Sequence, residues 1–105
     1  MTEEKKHQKI IVLGGGESGS GAAALAALKG HDVFLSEAGI IKDVFKERLI
    51  KYGINYEEGG HNTQNFIDAG LIIKSPGIPE STEIMKAVRK AGIEVISEIE
   101  FASRY

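Results

Sequence analysis

Residues 10–21 read Ile-Ile-Val-Leu-Gly-Gly-Gly-Glu-Ser-Gly-Ser-Gly, a short apolar run that leads directly into a glycine-rich turn. Gly14, Gly16 and Gly19 have the spacing G-x-G-x-x-G, and an alanine-rich helical segment follows them. Such a turn directs backbone N–H groups and the positive end of the helix dipole toward one point above the sheet edge. Glycine is needed because a side chain would keep the backbone away from a phosphate. The stretch therefore predicts a site for a nucleotide or another phosphorylated ligand.

Short apolar runs alternate with helical patterns along the rest of the chain. The predicted strands are 9–13, 32–36, 54–56, 71–74 and 94–96, and the predicted helices are 19–29, 42–52, 63–69, 81–91 and a last one from about Glu98. This alternation is typical of βαβ units. It predicts an α/β fold: a Rossmann-like, open, parallel five-stranded sheet with helices on both faces. We expect one domain over residues 9–105, preceded by a disordered tail over residues 1–8.

The composition excludes several classes of function. The 105 residues are enough for one domain, and a net charge of -2 provides no basic surface for nucleic acid. No apolar run approaches the roughly 20 residues that a membrane span needs. The absence of cysteine excludes disulfides and thiolate metal sites, and it fits a cytoplasmic location. His31 and His61 have no suitably spaced partner, so we expect no metal site. No Ser/His/Asp arrangement is apparent, so we expect no catalytic residue.

Two residues near the glycine turn are candidates for ligand contacts. Ser18 offers a hydroxyl to a phosphate oxygen, although it could also serve as a plain N-cap. Glu17 would repel a phosphate, so its side chain is expected to point away. Glu37 ends the second strand, eighteen residues after Gly19. An acid there accepts hydrogen bonds from a ribose hydroxyl or a base, or it is only a solvated acid at a strand end.

A second turn follows the fourth predicted strand and reads Lys74-Ser-Pro-Gly-Ile-Pro79. Two prolines make it rigid, and Gly77 would let the backbone approach a ligand. Ligands in open α/β sheets lie at the carboxyl ends of the strands, which places Ser75 and Gly77 in the predicted site. The alternative is a tight connection between strand and helix with no ligand.

The end of the chain suggests a continuation. Ser97 and Glu100 have capping-box spacing and predict the start of a helix. The chain stops about two turns later, and apolar residues continue up to that point. We expect the chain to be the first part of a longer protein.

Three segments together resemble the N-terminal domain of the Mur ligases, most of all the branch that adds D-glutamate. They are residues 12–23, residues 33–37 (Val-Phe-Leu-Ser-Glu) and residues 74–79, and the closing Ser-Glu-Ile-Glu-Phe also fits. The resemblance implies that the domain binds the UDP part of UDP-N-acetylmuramoyl-L-alanine. It places diphosphate contacts on the main chain of Glu17 and on Ser18 within the Gly14 to Gly19 loop, the uracil-side acid on Glu37, and the second glycine on Gly77. Many members follow that acid with a hydroxyl residue and an arginine, whereas this chain has Ala38 and Gly39.

The resemblance also implies what lies elsewhere in the parent enzyme. ATP and Mg²⁺ would bind in a missing central domain, a third domain would help bind D-glutamate, and the present chain alone would be inactive. The enzyme would act in the cytoplasm on a peptidoglycan precursor. Two alternatives remain from the residues alone: an NAD(P)-binding domain of a dehydrogenase, and a regulatory domain that senses a nucleotide.

Overall fold

A computed structural model describes residues 8–105, which form alternating strands and helices. In chain order these are β1 (Lys9–Leu13), α1 (Glu17–Leu28), β2 (Asp32–Glu37), α2 (Asp43–Lys51), β3 (Asn55–Glu58), a 3₁₀ turn (Thr63–Phe66), β4 (Leu71–Lys74), α3 (Glu83–Lys90), β5 (Val95–Ser97) and α4 (Glu98–Ser103). Most of the predicted tail lies outside the described residues. Gln8, its last residue, donates its backbone N–H to Nδ1 of His31 at 3.0 Å.

The five strands form one parallel sheet in the order β3-β2-β1-β4-β5. This arrangement confirms the predicted fold class. β1 lies in the centre, with Ile11 opposite Phe34 of β2 on one side and opposite Ile72 of β4 on the other. The chain changes direction across the sheet between β1 and β4, so a crevice opens at their carboxyl ends.

Helices cover both faces of the sheet, as the sequence predicted. On one face α1, α2 and α4 pack on alternate strand residues such as Ile10 and Val12 through Ala23, Leu49 and Phe101. On the other face α3 and the 3₁₀ turn bury the intervening residues; their core contains Ile11, Leu13, Phe66, Met85 and Val88. Because β1 is buried on both faces, it reads as a continuous apolar run rather than as an alternating one.

The segment predicted as a helix over residues 63–69 is only a 3₁₀ turn of four residues, so that prediction is wrong. The Asn62 side chain accepts from the backbone N–H of Gln64 at 3.0 Å and holds the start of the turn. The segment does not continue as a helix because the chain has already returned to the sheet at Gly70, whose N–H donates to the carbonyl of Lys9 at 2.8 Å.

Two helix starts differ from prediction by two residues, and α2 begins one residue late, at Asp43 rather than at residue 42. α1 begins at Glu17 rather than at Gly19, since Gly16 occupies the N-cap position. α3 begins at Glu83 rather than at residue 81, because Thr82 is the N-cap and accepts from the N–H of Met85. No helix among residues 8–105 is long and apolar enough to cross a membrane.

Candidate functional site

A cleft of about 940 Å³ opens at the carboxyl ends of β1 and β4. The structure brings every sequence-predicted site residue to its walls: Gly14, Gly16, Glu17, Ser18, Gly19, Glu37, Ser75 and Gly77. The glycine loop (residues 14–19) forms one side and the proline turn (residues 75–79) forms another. Two segments more than fifty residues apart in sequence therefore face one space, because β1 and β4 are neighbours in the sheet.

Two glycines of the loop are required by packing. Gly14 has φ of +110°, and a Cβ there would overlap the Ser75 hydroxyl. A Cβ on Gly19 would overlap the carbonyl oxygen of Gly14. By contrast, a Cβ on Gly16 would meet no atom within 4 Å. Gly16 therefore leaves open space beside the cleft rather than making a close contact.

The N-terminus of α1 points into the cleft without a side-chain cap. Gly16 is the N-cap and carries no acceptor, so the first-turn N–H groups of Glu17, Ser18 and Gly19 have no capping partner. The Glu17 carboxylate lies 3.0 Å from the guanidinium of Arg48 on α2, as expected of a side chain that points away. Ser18 is exposed on the first turn, so its alternative role as the N-cap is wrong.

The Glu37 side chain links the glycine loop to the end of β2 by a hydrogen bond. Its Oε1 accepts from the N–H of Gly15 at 2.6 Å, and its Oε2 accepts from the N–H of Gly39 at 2.9 Å. The interpretation as a merely solvated acid is therefore wrong. Each carboxylate oxygen keeps a second lone pair, so a ligand hydroxyl can still donate to Glu37.

The proline turn is held from two sides. The Ser75 N–H donates to the carbonyl of Leu13 at 3.0 Å, and its hydroxyl donates to Oε2 of Glu98 at 2.7 Å. Gly77 is exposed at the tip, and a Cβ there would meet nothing within 4 Å. The anchored base and open tip leave the Gly77 backbone accessible from the cleft.

Comparison with protein families identifies the domain. The model of the MurD N-terminal domain matches residues 9–84, which include the glycine loop, Glu37 and the proline turn. The chain belongs to the MurD N-terminal domain family. This confirms the resemblance that the sequence motifs indicated.

Curated relatives of this MurD N-terminal domain are named UDP-N-acetylmuramoylalanine--D-glutamate ligase. The protein from Cytophaga hutchinsonii is 52% identical over 98 residues, and that from Bacteroides fragilis is 48% identical over 98 residues. Each match covers 93% of this chain and 22% of the relative. The chain thus spans about a fifth of the length of these relatives.

Solved structures share the fold of the MurD N-terminal domain. UDP-N-acetylmuramate-alanine ligase MurC from Thermotoga maritima matches with a TM-score of 0.76 at 26% identity, over 91% of this chain and 22% of that one. A murein peptide ligase from Psychrobacter arcticus matches with a TM-score of 0.84 at 23% identity, over 92% of this chain and 20% of that one. At 23% identity, the match with the murein peptide ligase shows only that the two proteins share a fold.

Several lining residues of the MurD N-terminal domain were missed by sequence reasoning. They are Ala38, His61, Thr63, Thr82 and Glu83. His61 follows β3, and pairing of Glu37 with Glu58 brings the chain after β3 beside the end of β2. Had β3 been placed next to β2 in the predicted sheet, the position of His61 beside the cleft would have followed. Burial lowers the pKa of His61 from its ordinary value near 6.5, while the carboxylates of Glu57 and Glu37 oppose that shift.

Among residues 8–105, the lining of the cleft in this MurD N-terminal domain includes the acidic residues Glu37 and Glu83 and neither lysine nor arginine. Arg48 is near, but it contacts Glu17 and donates to the Ser20 hydroxyl at 2.9 Å. An anion in the cleft would therefore depend on backbone N–H groups and the helix dipole.

Proposed function

We propose that this domain binds the UDP moiety of UDP-N-acetylmuramoyl-L-alanine, as part of an enzyme that joins D-glutamate to that nucleotide with ATP. The family and the names of its curated relatives support the reaction class. One observation carries the binding role: the glycine loop, the proline turn and the uncapped N-terminus of α1 all face the same cleft.

The diphosphate would lie at the first turn of α1. The N–H groups of Glu17, Ser18 and Gly19 are directed there, and the exposed Ser18 hydroxyl can donate as well. The open space at Gly16 admits phosphate oxygens close to the backbone. The backbone of Gly77 borders the same space from the proline turn. The nucleoside would extend toward Glu37 at the end of β2.

ATP and Mg²⁺ would bind to other parts of the parent enzyme. The sequence has no G-x-x-x-x-G-K-[ST] loop, and residues 8–105 contain no group of three or more side chains suited to a metal ion. In this proposal the chain serves substrate binding and contributes no catalytic residue. The central and C-terminal domains of the parent, its cytoplasmic location and the inactivity of this chain alone are parts of the same proposal.

Calorimetric titration tests the ligand. We expect UDP and UDP-N-acetylmuramoyl-L-alanine to bind the 105-residue chain more tightly than NAD. Binding should be weak, because contacts from other domains would be absent. Tighter binding of NAD would overturn the proposal in favour of the dehydrogenase alternative.

The variant Gly16→Val tests whether the diphosphate binds at the glycine loop. The valine side chain would fill the space that a phosphate needs, while it meets no atom of the protein at its Cβ position. We expect UDP binding to be lost and the urea unfolding midpoint to remain near that of the wild type. Gly21→Val is the matched control, since Gly21 is on the same helix outside the cleft and its Cβ would meet only Nη1 of Arg48 at 3.7 Å. Unchanged UDP affinity in Gly16→Val would contradict the assignment.

A further inference from the structure

A partly buried polar cluster lies at the edge of the cleft where β2 and β3 end. Ser36 is fully buried, and its Oγ lies 2.6 Å from Oε2 of Glu57 and 2.6 Å from Nδ1 of His61. The serine hydroxyl thus stands between the acid and the imidazole. In a hydrolase triad the histidine stands between them, so this order does not activate a nucleophile.

The hydrogen-bond donors around Glu57 determine where the protons are. Its carboxylate accepts from the Ser36 hydroxyl, from the N–H of Asn62 at 3.1 Å and from the amide of Asn65 at 3.1 Å. Ser36 has one hydroxyl proton, and that proton is used in the bond to Glu57. The contact between Ser36 and His61 therefore needs its proton from the ring, so Nδ1–H of His61 donates to the Ser36 oxygen.

This assignment fixes the tautomer of the imidazole. When Nδ1 of a neutral histidine carries the proton, Nε2 is an acceptor. Within residues 8–105, Nε2 of His61 has no hydrogen-bond partner, whereas both carboxylate oxygens of Glu37 already accept from backbone N–H groups. Phe66 packs edge-on against the ring, with centroids 6.2 Å apart, and helps hold its orientation.

The ring lines the same cleft as Glu37 and Ala38. We propose that His61, with its proton held on Nδ1 by Ser36, accepts a hydrogen bond at Nε2 from the imide N–H of a uracil base and so determines base specificity. This inference rests on the proposed function, because it assigns one end of the same nucleotide. Uracil has a donor at N3, whereas cytosine has a lone pair there that would face the Nε2 lone pair.

Paired titrations with UDP and CDP test the proposal. The two ligands share the diphosphate and the ribose, so the ratio of their affinities reports the base alone. We expect the wild type to prefer UDP roughly tenfold, as one lost hydrogen bond with an acceptor left unpaired implies. His61→Phe keeps a ring against Phe66 and removes the acceptor, so the ratio should fall to about one. Gln64→Ala changes an exposed side chain three residues away that does not line the cleft, and it should leave the ratio unchanged.

The outcomes separate this proposal from the binding role itself. If UDP and CDP both fail to bind the wild type, the proposed function fails. If UDP binds and His61→Phe keeps its preference over CDP, the function stands and the inference about His61 is overturned. An equal loss of affinity for UDP and CDP in His61→Phe also overturns the inference, since that result would assign the His61 contact to the ribose, which both ligands share.

Nitrogen NMR of the wild-type histidines gives a readout that needs no variant. The chemical shifts of His61 should show a protonated Nδ1 and an unprotonated Nε2 at neutral pH, with Nε2 shifting when UDP is added. A ring with its proton on Nε2 would overturn the proposal.

Discussion

Gly19 lies against the carbonyl oxygen of Gly14, where the first turn of α1 passes closest to the end of β1. Any side chain at this position must displace backbone rather than a flexible side-chain tip. Gly16, three residues earlier in the same motif, has empty space around it. The spacing G-x-G-x-x-G thus combines a glycine that permits packing with a glycine that leaves room for a ligand.

Gly19→Ala should therefore destabilise the domain. We expect the free energy of unfolding to fall by about 1–3 kcal/mol or more, since overpacking against backbone forces local shifts. The measurement is urea denaturation followed by circular dichroism. Gly21→Ala on the same helix should be neutral or stabilising by up to about 1 kcal/mol. Equal stability of Gly19→Ala and the wild type would show that the loop has more room than the structure gives it.

His61 should make stability depend on pH in a defined window. Burial holds its pKa in the folded state below 6.5, so the unfolded chain binds more protons between that lowered pKa and about 6.5. The contribution is fully present above pH 6.5 and is lost as pH falls through the folded-state pKa. We expect the wild type to lose more stability than His61→Phe over this interval. Parallel pH profiles of the two proteins would contradict the assignment.

At the level of single residues, the sequence predicted which glycines and polar residues meet but not all their partners. Glu37 was placed at a strand end, yet nothing in the sequence indicated that its two oxygens accept from Gly15 and Gly39. His61 was predicted only to lack a metal-binding partner and was given no ligand contact, because its position beside Ser36 depends on the pairing of β2 with β3. Contacts between residues distant in sequence require the strand order first.

The last helix illustrates how one side chain shapes an element. Ser97 accepts from the N–H of Glu100 at 3.0 Å, so half of the predicted capping box forms. The Glu100 side chain instead lies 3.2 Å from Arg104, one turn further along α4. Phe101 provides the buried contact, whereas Ile99 is 82% exposed. With so short a helix, the cap carries much of the local stability.

Ser97→Ala should accordingly cost about 1 kcal/mol of unfolding free energy, the usual loss for an N-cap hydroxyl. Ser97→Asp should restore most of that loss, because a carboxylate also caps and suits the helix dipole. Ser103→Ala, at the exposed far end of α4, serves as the control and should change stability little. Chemical denaturation of the three variants checks the order, and a larger loss in Ser103→Ala would contradict it.

Helix and strand existence followed from periodicity, while helix boundaries depended on caps. β1 and β4 have the predicted limits, since apolar runs between turn residues define buried strands well. The segment 63–69 failed as a helix because its periodicity covers barely two turns and the backbone of Gly70 is already bound to Lys9 of β1. Weak local preferences of this kind are resolved only by packing.

For the whole molecule, the alternation of strands and helices was sufficient to predict the sheet, its parallel pairing and the helices on both faces. The convergence of the glycine loop and the proline turn also followed, since ligand sites in such sheets lie at the carboxyl ends of neighbouring strands. The third wall, formed by the chain after β3, was not predicted. Its position depends on which edge of the sheet β3 joins, and several positions satisfy the same hydrophobic pattern.

Within the described residues 8–105, the lining of the cleft contains no lysine or arginine, and this composition bears on how ligand affinity depends on ionic strength. Sites that hold phosphates with basic side chains lose affinity as salt rises, because salt screens the attraction. Here backbone dipoles would attract the diphosphate while Glu37 and Glu83 repel it, and added salt screens both effects. We expect UDP affinity to change little between about 0.05 and 0.5 M sodium chloride, measured by calorimetry at constant pH. A steep fall would reveal cations at the ligand that the cleft itself does not supply.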